Sequence, residues 1–504
     1  MHILDEEEII GLNINDYPLS LSNSSGDPFH TNKATFLHFF EQQVPDIIVN
    51  EVLPNGALII DAMGLLHQIA EHVPPTFGEL CVFVLRHLMK LASRFKAVRV
   101  DFVADRYSPD SIKSSERDRR AGGVHQELQR PLSLQQKTPL LFSNYLKSSK
   151  NKETLIVFLI EQWKNLPGSE LQGRMVYATQ LDNCVKLSCS QDGDIIAEDV
   201  EELKSNQEEA DGRLLLHAKH ASDDKELNEK VVVVKSPDTD VFLLMAAFAS
   251  QIPCPLFFAT GSGNLARTLN VGLILEKYGE QVCTALLGIH AFTGCDSTSS
   301  FKGKGKVVPF KLMLKSSSFI ELFAHLGDEW AVTEAHLHSL EEFVCRLYGQ
   351  ELTSVNKARL NIFKETFKTD HTLPPNKESL HLHCKRANYQ AALWRRSLTA
   401  MIATPPPISF GWISNADASL TIQWTEISSG SASCGPITSC ACLKTRCVGN
   451  KCRCKRAGET CTPLFCKCKD CCNTYNPTCD AQAFETIETS EDENEDLSSD
   501  SAYD

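Results

Sequence analysis

The chain has no apolar run approaching the roughly eighteen residues that a helical membrane span needs, so a transmembrane role is not expected. Its first residues carry Asp5 to Glu8 in place of the basic-then-apolar pattern of a secretory leader, and an intracellular protein is expected. A phosphate-binding P-loop is missing too: the Gly-Lys repeats between Phe301 and Lys306 lack the four residues that such a loop places between its glycines. Gly261 to Ala266 follows a candidate strand, but so short a glycine pattern is weak support for a dinucleotide site. Lysine and arginine are absent from residues 480–504, which hold ten of the 64 acids. Most of the formal charge of −14 comes from this tail, and its low hydrophobicity predicts disorder. The remainder is close to neutral and locally basic.

What is present is enough for a large core. With 504 residues, 42% of them hydrophobic, two to four domains are expected. Of 20 cysteines, twelve lie between Cys434 and Cys479, which in an intracellular protein points to metal rather than disulfides. The other eight are scattered and suit small buried apolar positions.

Acids recur at the ends of predicted strands. Val231 to Val234 form a run of high β-propensity that meets a Ser-Pro breaker and then Asp238 and Asp240. Ala57 to Ala62 reads as a buried strand closing at Asp61, and Ala97 to Asp105 as a second one closing at Asp105 after the amphipathic segment Glu79 to Phe95. Strand, helix, strand is the βαβ signature of a parallel α/β sheet, whose ligands bind beyond the carboxyl ends of the strands. Past Asp105 the chain turns basic, and Lys113 and Arg120, seven apart, share one face if that stretch is helical. Glu209 and Asp211 open another predicted helix, where acids also complement the helix dipole. Asp296 follows Gly294 and Cys295, and a glycine-lysine hairpin, Lys302, Gly303, Lys304, Gly305 and Lys306, offers backbone amides and ammonium groups to a phosphate. Residues 311–403 look mostly helical.

This succession resembles the flap endonuclease and XPG family of PIN-like nucleases from about residue 55 to 310. The blocks that match are Asp61; Asp105 with Lys113 and Arg120; Glu209 with Asp211; Asp238 with Asp240; and Gly294-Cys295-Asp296 before the hairpin. The resemblance implies that Asp61, Asp105, Glu209, Asp211, Asp238, Asp240 and Asp296 bind two Mg²⁺ or Mn²⁺ ions for phosphodiester hydrolysis, while Lys113 and Arg120 act catalytically on the scissile phosphate. Two such ions stabilise the attacking and leaving oxygens of an in-line displacement. Three features depart from the family: Asp211 in place of Glu, about sixty residues before the first block, and a long insertion between Arg120 and Glu209.

Nine cysteines, Cys440, Cys442, Cys447, Cys452, Cys454, Cys461, Cys466, Cys468 and Cys471, are spaced C-x-C-x4-C-x4-C-x-C-x6-C-x4-C-x-C-x2-C. Thiolates favour tetrahedral Zn²⁺, and nine can serve about three ions only by bridging. The pattern is similar to the CXC repeat of tesmin and TSO1-like proteins, which implies DNA binding. Eight Lys or Arg against two acids between Cys440 and Cys472 suit that role, with Lys444, Arg446, Lys451 and Arg453 as expected contacts. A structural zinc knot serving a protein contact is the alternative.

The expected organisation is an extension over 1–50, an α/β parallel-sheet PIN-like nuclease domain over 51–310, a helical extension and linker over 311–433, a zinc module over 434–479 and an acidic tail over 480–504. Expected function is metal-dependent, structure-selective cleavage of nucleic acid, DNA in particular, by a nuclear protein. The alternative is an inactive DNA- or chromatin-binding protein, of mobile-element origin, that retains the nuclease fold as a scaffold.

Overall fold

The computed structural model describes residues 11, 17–52, 56–107, 112, 132–224, 231–366, 372–416, 419–425, 440–442, 446–449, 451–458, 460–461, 466–468 and 471–474. They fall into two compact units, one within residues 7–426 and one formed by the cysteine-rich segment. Lys113, Arg120, Lys444 and the acidic tail lie outside the described residues.

The first unit is built on a nine-stranded sheet. In chain order its strands are β1 (Ile48–Val49), β2 (Ala57–Asp61), β3 (Arg99–Val103), β4 (Met175–Gln180), β5 (Asn183–Cys189), β6 (Ile195–Asp199), β7 (Val232–Lys235), β8 (Leu256–Thr260) and β9 (Arg267–Asn270). Their spatial order is β1-β9-β8-β7-β2-β3-β4-β5-β6. The five central strands, β8-β7-β2-β3-β4, are parallel, and antiparallel strands complete both edges. The chain leaves β2 toward β3 and β4 and later returns to its other side with β7, so the strand order reverses between β2 and β7. In open α/β sheets ligands bind at such a point, outside the carboxyl ends of the strands.

Helices cover both faces, which is why the central strands read as continuous apolar runs. Ala57 and Ile59 pack into one core with Val232 and Val234, while Leu58, Ile60, Val100 and Phe102 pack into the other. The helices used below are α1 (Ala34–Gln43), α2 (Ala62–Ile69), α3 (Phe77–Arg94), α4 (Ala210–Asp223), α5 (Thr239–Phe248), α6 (Glu280–Phe292) and α7 (Lys377–Arg395). Thr76 and Glu79 close a capping box at the start of α3.

The segments flanking the expected nuclease domain belong to the same core. Phe36, Phe39 and Phe40 of α1 form an aromatic cluster with Phe310, and Phe40 also meets Phe242 of α5. From the other direction, Ala387, Ala391 and Trp394 of α7 join the cluster that contains Leu286 and Ile289 of α6. Residues 17–52 and the helices between 317 and 395 are therefore parts of one unit with the sheet. No described helix is long and apolar enough to cross a membrane.

Candidate functional site

The carboxyl ends of β2, β3 and β7 open into a cavity of about 740 Å³ lined by Asp61, Asp105, Glu209, Asp211, Asp238 and Asp296. Six of the seven acids singled out from the sequence share this space. The seventh, Asp240, is almost fully buried behind Asp238, and carboxylate oxygens of Asp211, Asp238 and Asp240 lie within 4.8 Å of one another.

Three of the acids are placed by backbone amides near them. Asp61 caps α2, accepting from the Gly64 amide at 2.9 Å, and receives the Ser236 hydroxyl at 3.1 Å from the turn after β7. Asp105 accepts from the Ala210 amide at 2.8 Å and so ties the end of β3 to the start of α4, which Glu209 precedes and Asp211 opens. Asp238 caps α5 through the Asp240 amide at 2.9 Å. These caps satisfy amides that a helix start leaves without partners.

Crowding carboxylates in a buried crevice disfavours their charged form. Burial pushes the Asp61 carboxyl up to about 6, with Asp105 adding to the effect against the Gly64 amide. Burial and the neighbouring Asp240 likewise push Asp238 up to about 6. Burial alone would raise Asp240 as well, but Lys33 and His290 overcome it and hold that carboxyl well below its usual range. A divalent cation would relieve the repulsion at Asp61 and Asp238, and an all-carboxylate donor set is the hard-oxygen chemistry of Mg²⁺ and Mn²⁺. The residues present fit such an ion.

Two participants carried no sequence signal. The Lys33 ammonium, at the start of α1, lies 2.6 Å from Asp240 Oδ2, 2.7 Å from Asp296 Oδ1 and 3.7 Å from Asp238 Oδ1. His290 of α6 reaches the other oxygen of Asp240 at 2.8 Å through Nε2, its ring stacked on Trp394. Lys147 and Lys152 also line the cavity, so basic side chains are present besides the expected Lys113 and Arg120.

The glycine-lysine segment forms a turn, with the Lys304 amide on the Phe301 carbonyl and Gly303 at φ +71°. Its three lysines differ. Lys302 is exposed, with its ammonium near the Phe29 ring, and Lys304 folds back onto the Leu347 carbonyl and the Tyr348 ring. Lys306 departs from the phosphate-contacting role expected of it. Its ammonium is buried and donates to the carbonyls of His290 and Gly294 and to the Thr293 hydroxyl, where it caps the carboxyl end of α6. A cation there complements the helix dipole.

In the second unit eight of the nine cysteines fall into groups of four, and Cys471 packs against them. Sγ atoms of Cys440, Cys454, Cys461 and Cys466 lie within 4.8 Å of one another, as do those of Cys440, Cys447, Cys461 and Cys468, and those of Cys440, Cys442, Cys447 and Cys452. Close approaches such as 3.6 Å for Cys440–Cys447 and 3.5 Å for Cys454–Cys466 are far longer than a disulfide and near the ~3.8 Å edge of a tetrahedron with Zn–S bonds of about 2.3 Å. Cys440, Cys447 and Cys461 each belong to more than one group, the property a bridging thiolate must have. Arg446, Lys451 and Arg453 are exposed on this unit.

No family model matches the chain, and no curated protein does. Among solved structures the chain is similar to the catalytic core of Rad2 in complex with DNA substrate. For complex II the identity is 11% and the TM-score 0.28, covering 69% of this chain and 98% of that chain. For complex III the values are 11% and 0.29, covering 67% and 97%. At that level of superposition the functional reading rests on this chain's own side chains.

Proposed function

We propose that the first unit is a metal-dependent nuclease that hydrolyses phosphodiester bonds in branched or single-strand-bearing nucleic acid, DNA in particular, inside the nucleus. The observation that carries this reading is the convergence of six acids, from the ends of β2, β3 and β7, the start of α4 and the turn after α6, on one cavity at the strand-order reversal. Asp61, Asp105, Glu209, Asp211 and Asp238 would hold Mg²⁺ or Mn²⁺. When bound, the metal supplies a nucleophile at neutral pH and offsets charge on the reacting phosphate. The chain's own contribution is to fix the carboxylates through Gly64, Ser236, Ala210 and Asp240, and to present Lys147 and Lys152 to an anionic substrate. Lys113 and Arg120 would add to that cationic side.

The cysteine unit would bind about three Zn²⁺ in a CXC-type cluster bridged by Cys440, Cys447 and Cys461, and would tether the nuclease to DNA through Arg446, Lys451, Arg453 and the neighbouring Lys444. Lys302 and the amides of its turn would contact the duplex backbone.

The test is cleavage of branched DNA by the full chain with Mg²⁺ or Mn²⁺. Asp238→Ala should lower the rate by more than the roughly 10–100-fold typical of losing a group one step removed from a metal, and Asp240→Ala by about that 10–100-fold. A second reading, an inactive nucleic-acid-binding scaffold, is favoured by the Lys33 ammonium seated among the acids. Binding of structured DNA or RNA without metal-dependent cleavage of either would establish it and sink the nuclease.

A further inference from the structure

Lys33 is held where a mobile surface lysine would not be. It begins α1, whose Phe36, Phe39 and Phe40 are locked in the aromatic cluster with Phe310, so the backbone carrying the ammonium is anchored on the core. The ammonium sits at the junction of two crevices. The larger is faced by Asp61, Asp105, Glu209 and Asp211; the smaller, of about 580 Å³, is lined by residues 30–34 and by Thr239, Gly294 and Cys295. Asp238 and Asp296 belong to both.

A lysine ammonium is a compact positive charge with three donors, and carboxylate oxygens at 2.6 and 2.7 Å are its shortest normal partners. Those oxygens belong to Asp240 and Asp296, two of the seven acids that the resemblance read from the sequence assigns to a pair of metal ions. The remaining oxygen of Asp240 is engaged by His290. Asp240 therefore has neither oxygen open to an ion unless one of these partners withdraws. Asp61 and Asp105, which face the larger cavity, accept from the Gly64 and Ala210 amides and the Ser236 hydroxyl.

Resting on the nuclease reading, we propose that the Lys33 ammonium is a built-in cation that takes one of the two divalent-ion positions, so the site works with a single exchangeable metal beside a covalently tethered charge. An ammonium neutralises carboxylates but cannot lower the pKa of a bound water as a divalent ion does. It is a positioning residue for Asp238, Asp240 and Asp296.

The measurement is the number of Mn²⁺ ions bound by the zinc-loaded full chain, by calorimetric titration and by electron paramagnetic resonance. Lys33→Met, which keeps an unbranched side chain one atom shorter and removes its charge, should bind one ion more than the wild type. Its spectrum should show exchange coupling between two ions about 3.5–4 Å apart, where the wild type shows an isolated ion. Lys33→Arg should match the wild type. If Lys33→Met folds only with metal, refolding it in Mn²⁺ and counting retained ions after gel filtration makes the same comparison. Equal ion numbers in the wild type and Lys33→Met, or two coupled ions in the wild type, would overturn the proposal and leave the nuclease reading standing. No Mn²⁺ bound by either protein would sink the nuclease reading itself.

Discussion

Arg99 and Asp101 alternate on β3 with Val100 and Phe102, and so point to the opposite face of the sheet, where a charged pair must find compensation. They supply it to each other through two contacts of 2.8 Å, with His217 of α4 at 2.7 Å from Asp101 and the Arg99 guanidinium 3.8 Å over the Tyr177 ring. Burial alone would raise the Asp101 carboxyl, but Arg99 and His217 hold it down at about 2. Asp101→Ala leaves the buried Arg99 with only the longer 3.4 Å contact to Asp224 in place of its bidentate pair, and should cost about 3 kcal/mol, read by denaturant unfolding. His383, buried on α7 with Nε2 at 2.8 Å from the Phe292 carbonyl, is the complementary case. Burial, with Arg386 adding to it, pushes this base from 6.5 down to about 3, so the unfolded chain binds the proton and the folded one does not. Its contribution to stability is complete above pH 6.5 and is lost as pH falls toward 3, at about 1.4 kcal/mol per unit. Replacing it in His383→Gln should flatten the fall in unfolding free energy between pH 6.5 and 5 by about that slope.

Among the elements, α2 depends on one glycine more than on its own propensity. A Cβ at Gly64 would stand 2.6 Å from Pro237 Cδ and 3.2 Å from Asp61 Oδ2, so the first turn of α2 and the Ser-Pro turn after β7 can approach only over a glycine. Gly64→Ala should cost about 1–3 kcal/mol through overpacking. Because the same contact sets the Asp61 cap and the Ser236 hydrogen bond, the variant should also bind Mn²⁺ more weakly by calorimetry, whereas a substitution that is only destabilising would not change affinity in the folded fraction. The β5–β6 hairpin lies at the far edge of the sheet, with exposed residues on β6, and contributes nothing to the cavity.

At the scale of the whole molecule, the two units have different sources of stability. The first has two extensive apolar cores, one on each face of the sheet. Among the described residues of the second, the buried cluster consists of cysteines alone. On the proposed zinc reading such a unit folds with its metal, because the binding free energy is its folding free energy. Chelation of the full chain should therefore remove about three Zn²⁺, melt the cysteine unit and lower DNA affinity, while the main thermal transition of the first unit stays in place. Mass spectrometry and scanning calorimetry check the two halves of that expectation, and a metal content well below three per chain would count against the bridged cluster.

Four of the five central parallel strands were legible because their signals are local. β-branched runs and a Ser-Pro break marked strands and turns within a residue or two: β2 closes at Asp61 as its pattern indicates, and β3, Arg99–Val103, falls inside the Ala97 to Asp105 stretch. The order of acids along the chain could be read for the same reason, as could the cysteine spacing. Which charges those acids meet could not. Lys33 is 207 residues from Asp240 and resembles any other lysine ahead of a helix, and His290 sits in an apolar helix with nothing to mark it. Lys306 looked like a phosphate contact because its glycine neighbours suggest an exposed hairpin, yet the turn carries it back onto the end of α6. Sequence alone determined the elements and the chemistry available at their ends, since periodicity and turn residues act over a few positions. Tertiary structure decided how those acids are charged and what shares their space, because an electrostatic environment is assembled from groups far apart in the chain and depends on burial that only packing creates.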